Sequence, residues 1–258
     1  GTGSPVAEQL YRLGVGQLTL VDGDRLADTN VTRVYGSSLN DVGNFKVDVL
    51  KRHLDCTGFE TTVSVEPEHI IYERAAKRLR QCDVVFGCTD KQIPRAILTQ
   101  LAIKYLIPVF DLGVRIDSSD GVIRGVHGRV TTLLAGEACL FCRGRISPEA
   151  MRVEALSPEN RAQQVQDGYV PELETPAPAV IAFTSATASL AVSELLHRLT
   201  GYMGRERNSS EVLCRFDQSR IRTNRVPPQA ECLCSDQTAW GRGDEEPFLG
   251  IVWPTRTM

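Results

Sequence analysis

The first 33 residues, GTGSPVAEQLYRLGVGQLTLVDGDRLADTNVTR, constrain the fold more than any other part of the chain. They predict a glycine turn, a helix over residues 5–13 and a short apolar strand, Leu18–Val21, that ends in Asp22. This order is typical of the phosphate-binding half of a dinucleotide-type βαβ unit. Gly1 and Gly3 let the backbone approach a phosphate, and the N-terminus of the following helix directs its N–H groups toward it.

Asp22 lies about 20 residues beyond the glycines, where an acidic side chain can accept hydrogen bonds from ribose hydroxyls. The sequence therefore predicts nucleotide binding. An alternative is that Gly-Thr-Gly-Ser at residues 1–4 is a cloning remnant, because a glycine turn alone is weak evidence. The strand that normally precedes such a turn is expected upstream of Gly1.

Strand and helix patterns alternate through the first half of the chain. Predicted strands cover residues 61–65, 83–87 and 109–112, and predicted helices cover 46–54, 72–79 and 93–105. We predict a Rossmann-like α/β fold with a doubly wound, mainly parallel sheet covered on both faces. Over residues 122–134, apolar and polar side chains alternate around Gly125 and Gly128, as they do in an antiparallel hairpin. This pattern predicts an antiparallel extension of the sheet.

The second half is less regular. Residues 147–178 are rich in Pro, Glu and Gln and are expected to form a long crossover loop. A helix over 180–199 ends at Gly201, and 211–225 reads as a strand pair. We expect one domain over residues 1–240 and a C-terminal tail over 241–258.

Composition narrows the class of protein. The net charge is −3, so basic residues are not in excess and nucleic acid is not an expected partner. The most membrane-like stretch, residues 177–196, contains Glu194 and many small residues, which favours a buried helix over a membrane span. Eight cysteines in a chain of this length indicate thiols or metal ligands in a reducing cytoplasm.

Charged residues cluster at the predicted carboxyl ends of strands, where ligands bind in doubly wound sheets. The candidates are Asp22, Asp24, Asn30, Arg33, Lys46 and Asp90. Arg33 and Lys46 can neutralise a triphosphate, and Asp90 can hold Mg²⁺. Each charge alone is more typical of a solvated surface. A nicotinamide-dependent oxidoreductase shares the glycines and Asp22 but has no need of these charges, whereas nucleotidyl transfer requires them.

Four ordered segments resemble the ThiF/MoeB/HesA superfamily, the ubiquitin-activating type of adenylyltransferase. They are GTGSPVAEQLYRLGVGQLTLVDGD, DTNVTR, NFKVDVLKRHL and CDVVFGCTDKQIPR. With residues 139–142 and the helix over 180–199, the resemblance covers nearly the whole chain. It implies ATP-dependent adenylation of the C-terminal Gly-Gly carboxylate of a ubiquitin-like or sulfur-carrier protein.

By motif position, the resemblance implies a nucleotide site that consists of Gly1, Gly3, Ser4, Asp22, Asp24, Asn30, Arg33, Lys46 and Asp90. The two aspartates after the first strand would meet the ribose. Asn30, Arg33 and Lys46 would contact phosphates, and Asp90 would bind Mg²⁺–ATP. Of these, Arg33, Lys46 and Asp90 would be catalytic. The resemblance also implies a homodimer in which Arg33 approaches the ATP of the neighbouring subunit. Arg95 matches a family arginine without an assigned role.

Two departures from the family pattern matter. Val34 follows Arg33 where many members have Gln. No cysteine lies between Cys142 and Cys214, the segment where thioester-forming relatives carry their nucleophile. The expected reaction therefore ends at the acyl-adenylate, and a later thiol would belong to a partner.

Cys139 and Cys142, together with Cys232 and Cys234, can supply four thiolates to a structural Zn²⁺. The first pair has the usual spacing of a zinc knuckle and the second is one residue tighter, so two unrelated reduced pairs are the alternative. The resemblance favours zinc. A second alternative concerns function: a non-catalytic subunit of the same fold that scaffolds a catalytic partner.

Overall fold

The structure, a computed structural model, describes residues 1–167, 179–204, 207 and 209–255. Its α-helices are α1 (Gly3–Arg12), α2 (Lys46–Asp55), α3 (Glu73–Leu79), α4 (Gln92–Lys104), α5 (Pro148–Glu154), α6 (Pro158–Gln166) and α7 (Ile181–Thr200). Its strands are β1 (Gln17–Val21), β2 (Thr62–Glu66), β3 (Val85–Gly87), β4 (Val109–Ser119), β5 (Val122–Leu133), β6 (Glu211–Arg215) and β7 (Arg220–Asn224). Among these residues no helix has the length and apolar character to cross a bilayer.

The strands of the first half pair in parallel, as the alternation of strand and helix patterns predicts. β1 pairs with β2, with Leu18 opposite Val63, and β3 pairs with β4, with Val85 opposite Val109. The connecting helices bury one apolar face, which in α1 includes Val6, Ala7, Leu10 and Tyr11. The mixed α/β, Rossmann-like class is thus confirmed.

The antiparallel extension is present, but its hairpin lies elsewhere than predicted. β4 runs on to Ser119 and pairs with β5 across a turn at Asp120 and Gly121, which both have positive φ. β5 is therefore one long strand. Its Gly128 makes room for a neighbouring helix and side chain, because a Cβ there would lie 2.6 Å from Thr187 Oγ1. A glycine inside a strand pattern signals close approach as often as a turn.

β6 and β7 complete a five-stranded sheet in the order β3-β4-β5-β6-β7, and β1 and β2 form a separate pair. The predicted strand pair over 211–225 is confirmed by the antiparallel pairing of β6 with β7. β1 and β3 are not paired with each other, and both line one cavity. α1 and α7 pack against the core around Phe110 and Leu112, so the glycine turn at the start of α1 rests on buried structure.

Residues 147–167 contain two short helices where the sequence predicted a loop. Ser147 and Ser157 each cap a helix by accepting a backbone N–H, and a proline follows each serine. This Ser-Pro pattern is a helix-start signal. Neither α5 nor α6 has a buried residue, so apolar periodicity could not reveal them. Residues 168–178 of the predicted loop lie outside the described residues.

The C-terminal region packs against the domain. Phe248 and Leu249 are buried in an apolar cluster with Ala76 and Ile97. Phe248 and Leu249, which lie within the stretch that we expected to be a tail, therefore form part of the described core, while most other residues of 241–255 are exposed.

Candidate functional site: a charged cavity and a cysteine cluster

The glycine turn leads directly into α1, which begins at Gly3. A Cβ at Gly3 would lie 3.5 Å from the Cβ of Cys88, so the start of α1 sits against the end of β3. Ser4 is buried, and its Oγ accepts a hydrogen bond from the backbone N–H of Tyr35 at 3.0 Å. This bond fixes the start of α1 relative to the loop that carries Arg33.

The carboxyl end of β1 carries the two aspartates. Asp22 accepts a hydrogen bond from the backbone N–H of Asp24 at 2.9 Å, and burial raises the pKa of its carboxyl. The Asp24 Oδ2 lies 2.7 Å from the Lys46 Nζ. Burial acts to raise the pKa of Asp24, but the hydrogen bond and charge of Lys46 outweigh it and lower that pKa. Asp24 is therefore a carboxylate at neutral pH, paired with the first residue of α2.

Arg33 lies at the end of a short 3-10 helix, Val31–Arg33, and donates a hydrogen bond to the Thr29 carbonyl at 2.6 Å. Its Nε lies 3.8 Å from the position that a Cβ on Gly1 would occupy. The guanidinium thus approaches the glycine turn of its own chain. The structure describes a single chain, so the expectation that Arg33 reaches the ATP of a neighbouring subunit stays a prediction.

Asn30 accepts a hydrogen bond from the backbone N–H of Ala27 at 3.1 Å, so its side chain closes its own loop. Among the predicted nucleotide-site residues, all of which the structure describes, Asn30 is the one that does not line the cavity. The residues that do line it are Gly1, Gly3, Ser4, Asp22, Asp24, Arg33, Lys46 and Asp90.

Asp90 follows β3 and is exposed at the cavity. Cys88, two residues earlier, is a poor nucleophile because burial raises the pKa of its thiol to about 12. The cavity therefore combines cationic side chains, among them Arg33 and Lys46, with a helix start and exposed carboxylate oxygens. This set can bind a polyphosphate together with a hard divalent cation.

His69, which is not among the predicted site residues, also lies on the cavity wall. Its Nε2 is 3.8 Å from Asp24 Oδ1, and a Cβ on Gly23 would lie 2.7 Å from its ring. The sequence could have predicted this position, because His69 follows the carboxyl end of β2 and ligands bind at the carboxyl ends of parallel strands.

Arg95, which had no assigned role, contacts a buried acid. Its Nε lies 3.3 Å from Asp111 Oδ1, and the Arg129 Nη2 lies 2.6 Å from Asp111 Oδ2. Asp111 is fully buried, and burial lowers the pKa of Arg129 while the charge of Asp111 opposes that shift. Arg95 also lines the cavity. Asp111 lies within a strand that reads as apolar, so the sequence offered no periodic signal for this pair.

The four predicted zinc ligands converge. Cys139 Sγ lies 3.5 Å from Cys232 Sγ and 3.8 Å from Cys142 Sγ, and Cys142 Sγ lies 3.5 Å from Cys234 Sγ. Four sulfurs about 2.3 Å from a tetrahedral Zn²⁺ stand about 3.8 Å apart. The cluster therefore fits a structural zinc ion, and the tighter spacing of the second pair does not prevent it.

Comparison with known proteins agrees with this arrangement. The sequence model of the ThiF family matches residues 1–236. The chain is 33% identical over 103 residues to the adenylyltransferase and sulfurtransferase uba4 of Aspergillus fumigatus, covering 40% of this chain and 21% of that protein. It is 31% identical over 114 residues to the tRNA threonylcarbamoyladenosine dehydratase of Haemophilus influenzae, covering 44% of each.

Among solved structures, E. coli MccB with ATP superposes with a TM-score of 0.65 at 16% identity, covering 91% of this chain and 64% of MccB. E. coli MccB with MccA-N7isoASN superposes with a TM-score of 0.67 at 17% identity, with the same coverage of 91% and 64%. These similarities concern the fold. The chain spans about a fifth of the uba4 protein and about two thirds of MccB.

Proposed function

We propose, from the premise that the chain belongs to the ThiF family, that it is an ATP-dependent adenylyltransferase. Its substrate would be the C-terminal Gly-Gly carboxylate of a ubiquitin-like or sulfur-carrier protein, activated as an acyl-adenylate. One observation carries the proposal: the glycine turn, Asp22, Arg33, Lys46 and Asp90 all line one cavity.

In this reaction a carboxylate oxygen of the carrier attacks the α-phosphorus of ATP. The bond from that phosphorus to the bridging oxygen breaks, and pyrophosphate leaves with its electron pair. Arg33 and Lys46 would offset the charge that develops on the phosphates. Asp22 would hold the ribose, which fixes the nucleotide against the start of α1.

Asp90 is the residue that we assign to Mg²⁺, since its exposed carboxylate supplies the hard oxygen ligands that this ion prefers. When bound with ATP, the ion would neutralise phosphate charge.

The cysteine cluster would hold a structural Zn²⁺ through Cys139, Cys142, Cys232 and Cys234. We also propose a reducing, cytoplasmic location, since none of the eight cysteines forms a disulfide.

The partner that we infer is a carrier protein, and the reaction would end at the acyl-adenylate because no cysteine lies between Cys142 and Cys214. We also propose a symmetric homodimer, the commonest closed assembly. The position of Arg33 beside Gly1 supports action at the site of its own chain.

ATP–pyrophosphate exchange tests the proposal. The chain, with any native residues that precede Gly1, should exchange labelled pyrophosphate into ATP only when a carrier ending in Gly-Gly is added. The matched control is the same carrier without its last two glycines, which should support no exchange. A non-catalytic scaffold would bind the carrier without exchange. Tight NADH binding with no ATP binding in calorimetry would favour the oxidoreductase and exclude adenylation.

A further inference from the structure

The C-terminal wall, defined here as residues 247–254, lies outside the region that matches the family, which ends at residue 236. It is anchored by Phe248 and Leu249, whose side chains are 2% and 3% exposed. Trp253 stacks on Phe248 with ring centroids 5.6 Å apart and an interplanar angle of 20°. Its indole N–H donates a hydrogen bond to the Phe248 carbonyl at 3.0 Å. The indole is therefore held in one orientation against the buried side chain of Phe248.

The wall borders the candidate nucleotide site. Ile251 and Trp253 are half-buried and line the same cavity as Asp22 and Lys46. Both pack against the buried cluster of Ala76, Ile97, Phe248 and Leu249, and so do Ile70 and Ile71. Those two residues directly follow His69, which contacts the end of β1 beside Gly23.

The residues that line the cavity include both charged and apolar side chains. Arg33 lies beside Gly1, which makes the glycine turn the cationic, phosphate-binding end. Asp22 and Asp24 lie at the end of β1, where ribose hydroxyls are expected. The apolar side chains of Ile70 and Ile71, which follow His69 in the chain, line the same cavity as Ile251 and Trp253. A purine base has two flat apolar faces, and ligand pockets place aromatic and aliphatic side chains against such surfaces.

We propose that the C-terminal wall forms the nucleobase end of the site, with Trp253 and Ile251 in contact with the purine base of ATP. The inference rests on the proposed function, since it takes ATP as the nucleotide. It assigns a binding role to a segment that is not part of the ThiF family match. The base would lie between the wall and the residues that follow β2, while the phosphates reach the glycine turn.

Calorimetry with three ligands tests the proposal: ATP, AMP and inorganic tripolyphosphate. Trp253→Ala should weaken ATP and AMP binding about tenfold or more, because base–aromatic stacking is worth that much on alanine substitution. Tripolyphosphate has no base, so its affinity should be unchanged. Trp253→Phe keeps an aromatic face and should retain most of the affinity. The matched control is Trp240→Phe, since Trp240 lies beside the cysteine cluster and donates to the Cys234 carbonyl.

Fluorescence gives a second readout that does not depend on the folding of Trp253→Ala. The chain has two tryptophans, so Trp240→Phe leaves Trp253 as the only one. ATP and AMP should change its emission, and tripolyphosphate should not. Wild-type affinity for ATP in Trp253→Ala, or saturation with ATP at constant Trp253 emission, would overturn the role of the wall and leave adenylation intact. A wild-type chain that binds no ATP would overturn both.

Discussion

Lys46 contacts Asp24 twice: its ammonium lies 2.7 Å from the Asp24 Oδ2, and its backbone N–H donates to the Asp24 carbonyl at 3.0 Å. The backbone bond joins the start of α2 to the end of β1 and does not depend on the side chain. The ammonium can therefore leave Asp24 for a phosphate while the local fold stays intact. Asp24 would act as a resting partner that keeps this cation at the site.

We expect Lys46→Ala to separate activity from stability. Loss of the ammonium should lower the rate of adenylation about 100-fold, in the range measured when one group that stabilises transition-state charge is removed. The melting temperature should fall by less than about 4 °C, because a partly exposed ion pair contributes about 1 kcal/mol or less. The control is Lys51→Ala, which removes another ion pair of α2, 2.8 Å long, from Asp55. Equal activity in the two variants would exclude Lys46 from the site.

Asp90→Asn tests the assigned magnesium ligand. The amide keeps the shape of the side chain and removes its negative charge, so turnover should fall by about 100-fold or more. Folding should be unchanged, because Asp90 is exposed. Asp48→Asn, at an exposed position of α2 away from this cavity, is the control. Adenylation at the normal rate by Asp90→Asn across a Mg²⁺ titration would show that Asp90 is only a surface residue.

The zinc assignment predicts that metal content and stability change together. Cys139→Ser or Cys232→Ser should lower both the bound zinc and the melting temperature, since a structural zinc contributes its binding free energy to folding. Cys56→Ser is the control, because that thiol is exposed and lies outside the cluster. Metal-free protein with the same melting temperature before and after zinc addition would contradict a structural ion.

The sequence predicted the parts of the site that follow simple positional rules. Gly1, Asp22 and Lys46 were predicted as site residues because glycine turns, strand ends and helix starts are places where a fold binds phosphate and ribose. The same rule, applied to the carboxyl end of β2, would also have indicated His69. Asp111 contacts Arg95 from within β4, and Trp253 lines the cavity through packing of the C-terminal region. Neither residue leaves a local pattern in the sequence.

The fold predictions were wrong where buried apolar residues do not recur along the sequence at a helical or strand spacing. α5 and α6 bury none of their residues, and only their serine caps indicate helices. Gly128 was interpreted as a turn residue, although its role is to admit Thr187 and Phe216. Such contacts join residues far apart in sequence, so their reason appears only in the folded structure.

A subunit-mixing experiment tests whether Arg33 acts at the site of its own chain. Arg33 and Asp90 line one cavity of a single chain. In a heterodimer of Arg33→Ala and Asp90→Asn subunits, each site then carries one defect, and we expect no recovery of adenylation. A wild-type subunit paired with an Arg33→Ala/Asp90→Asn double variant should keep one intact site and about half the activity, given two-fold symmetry. If Arg33 instead served the neighbouring subunit, the outcomes would reverse: the first mixture would recover activity and the second would lose it. Differently tagged subunits, co-purified before assay, ensure that heterodimers are measured, and failure to co-purify would argue against the homodimer itself.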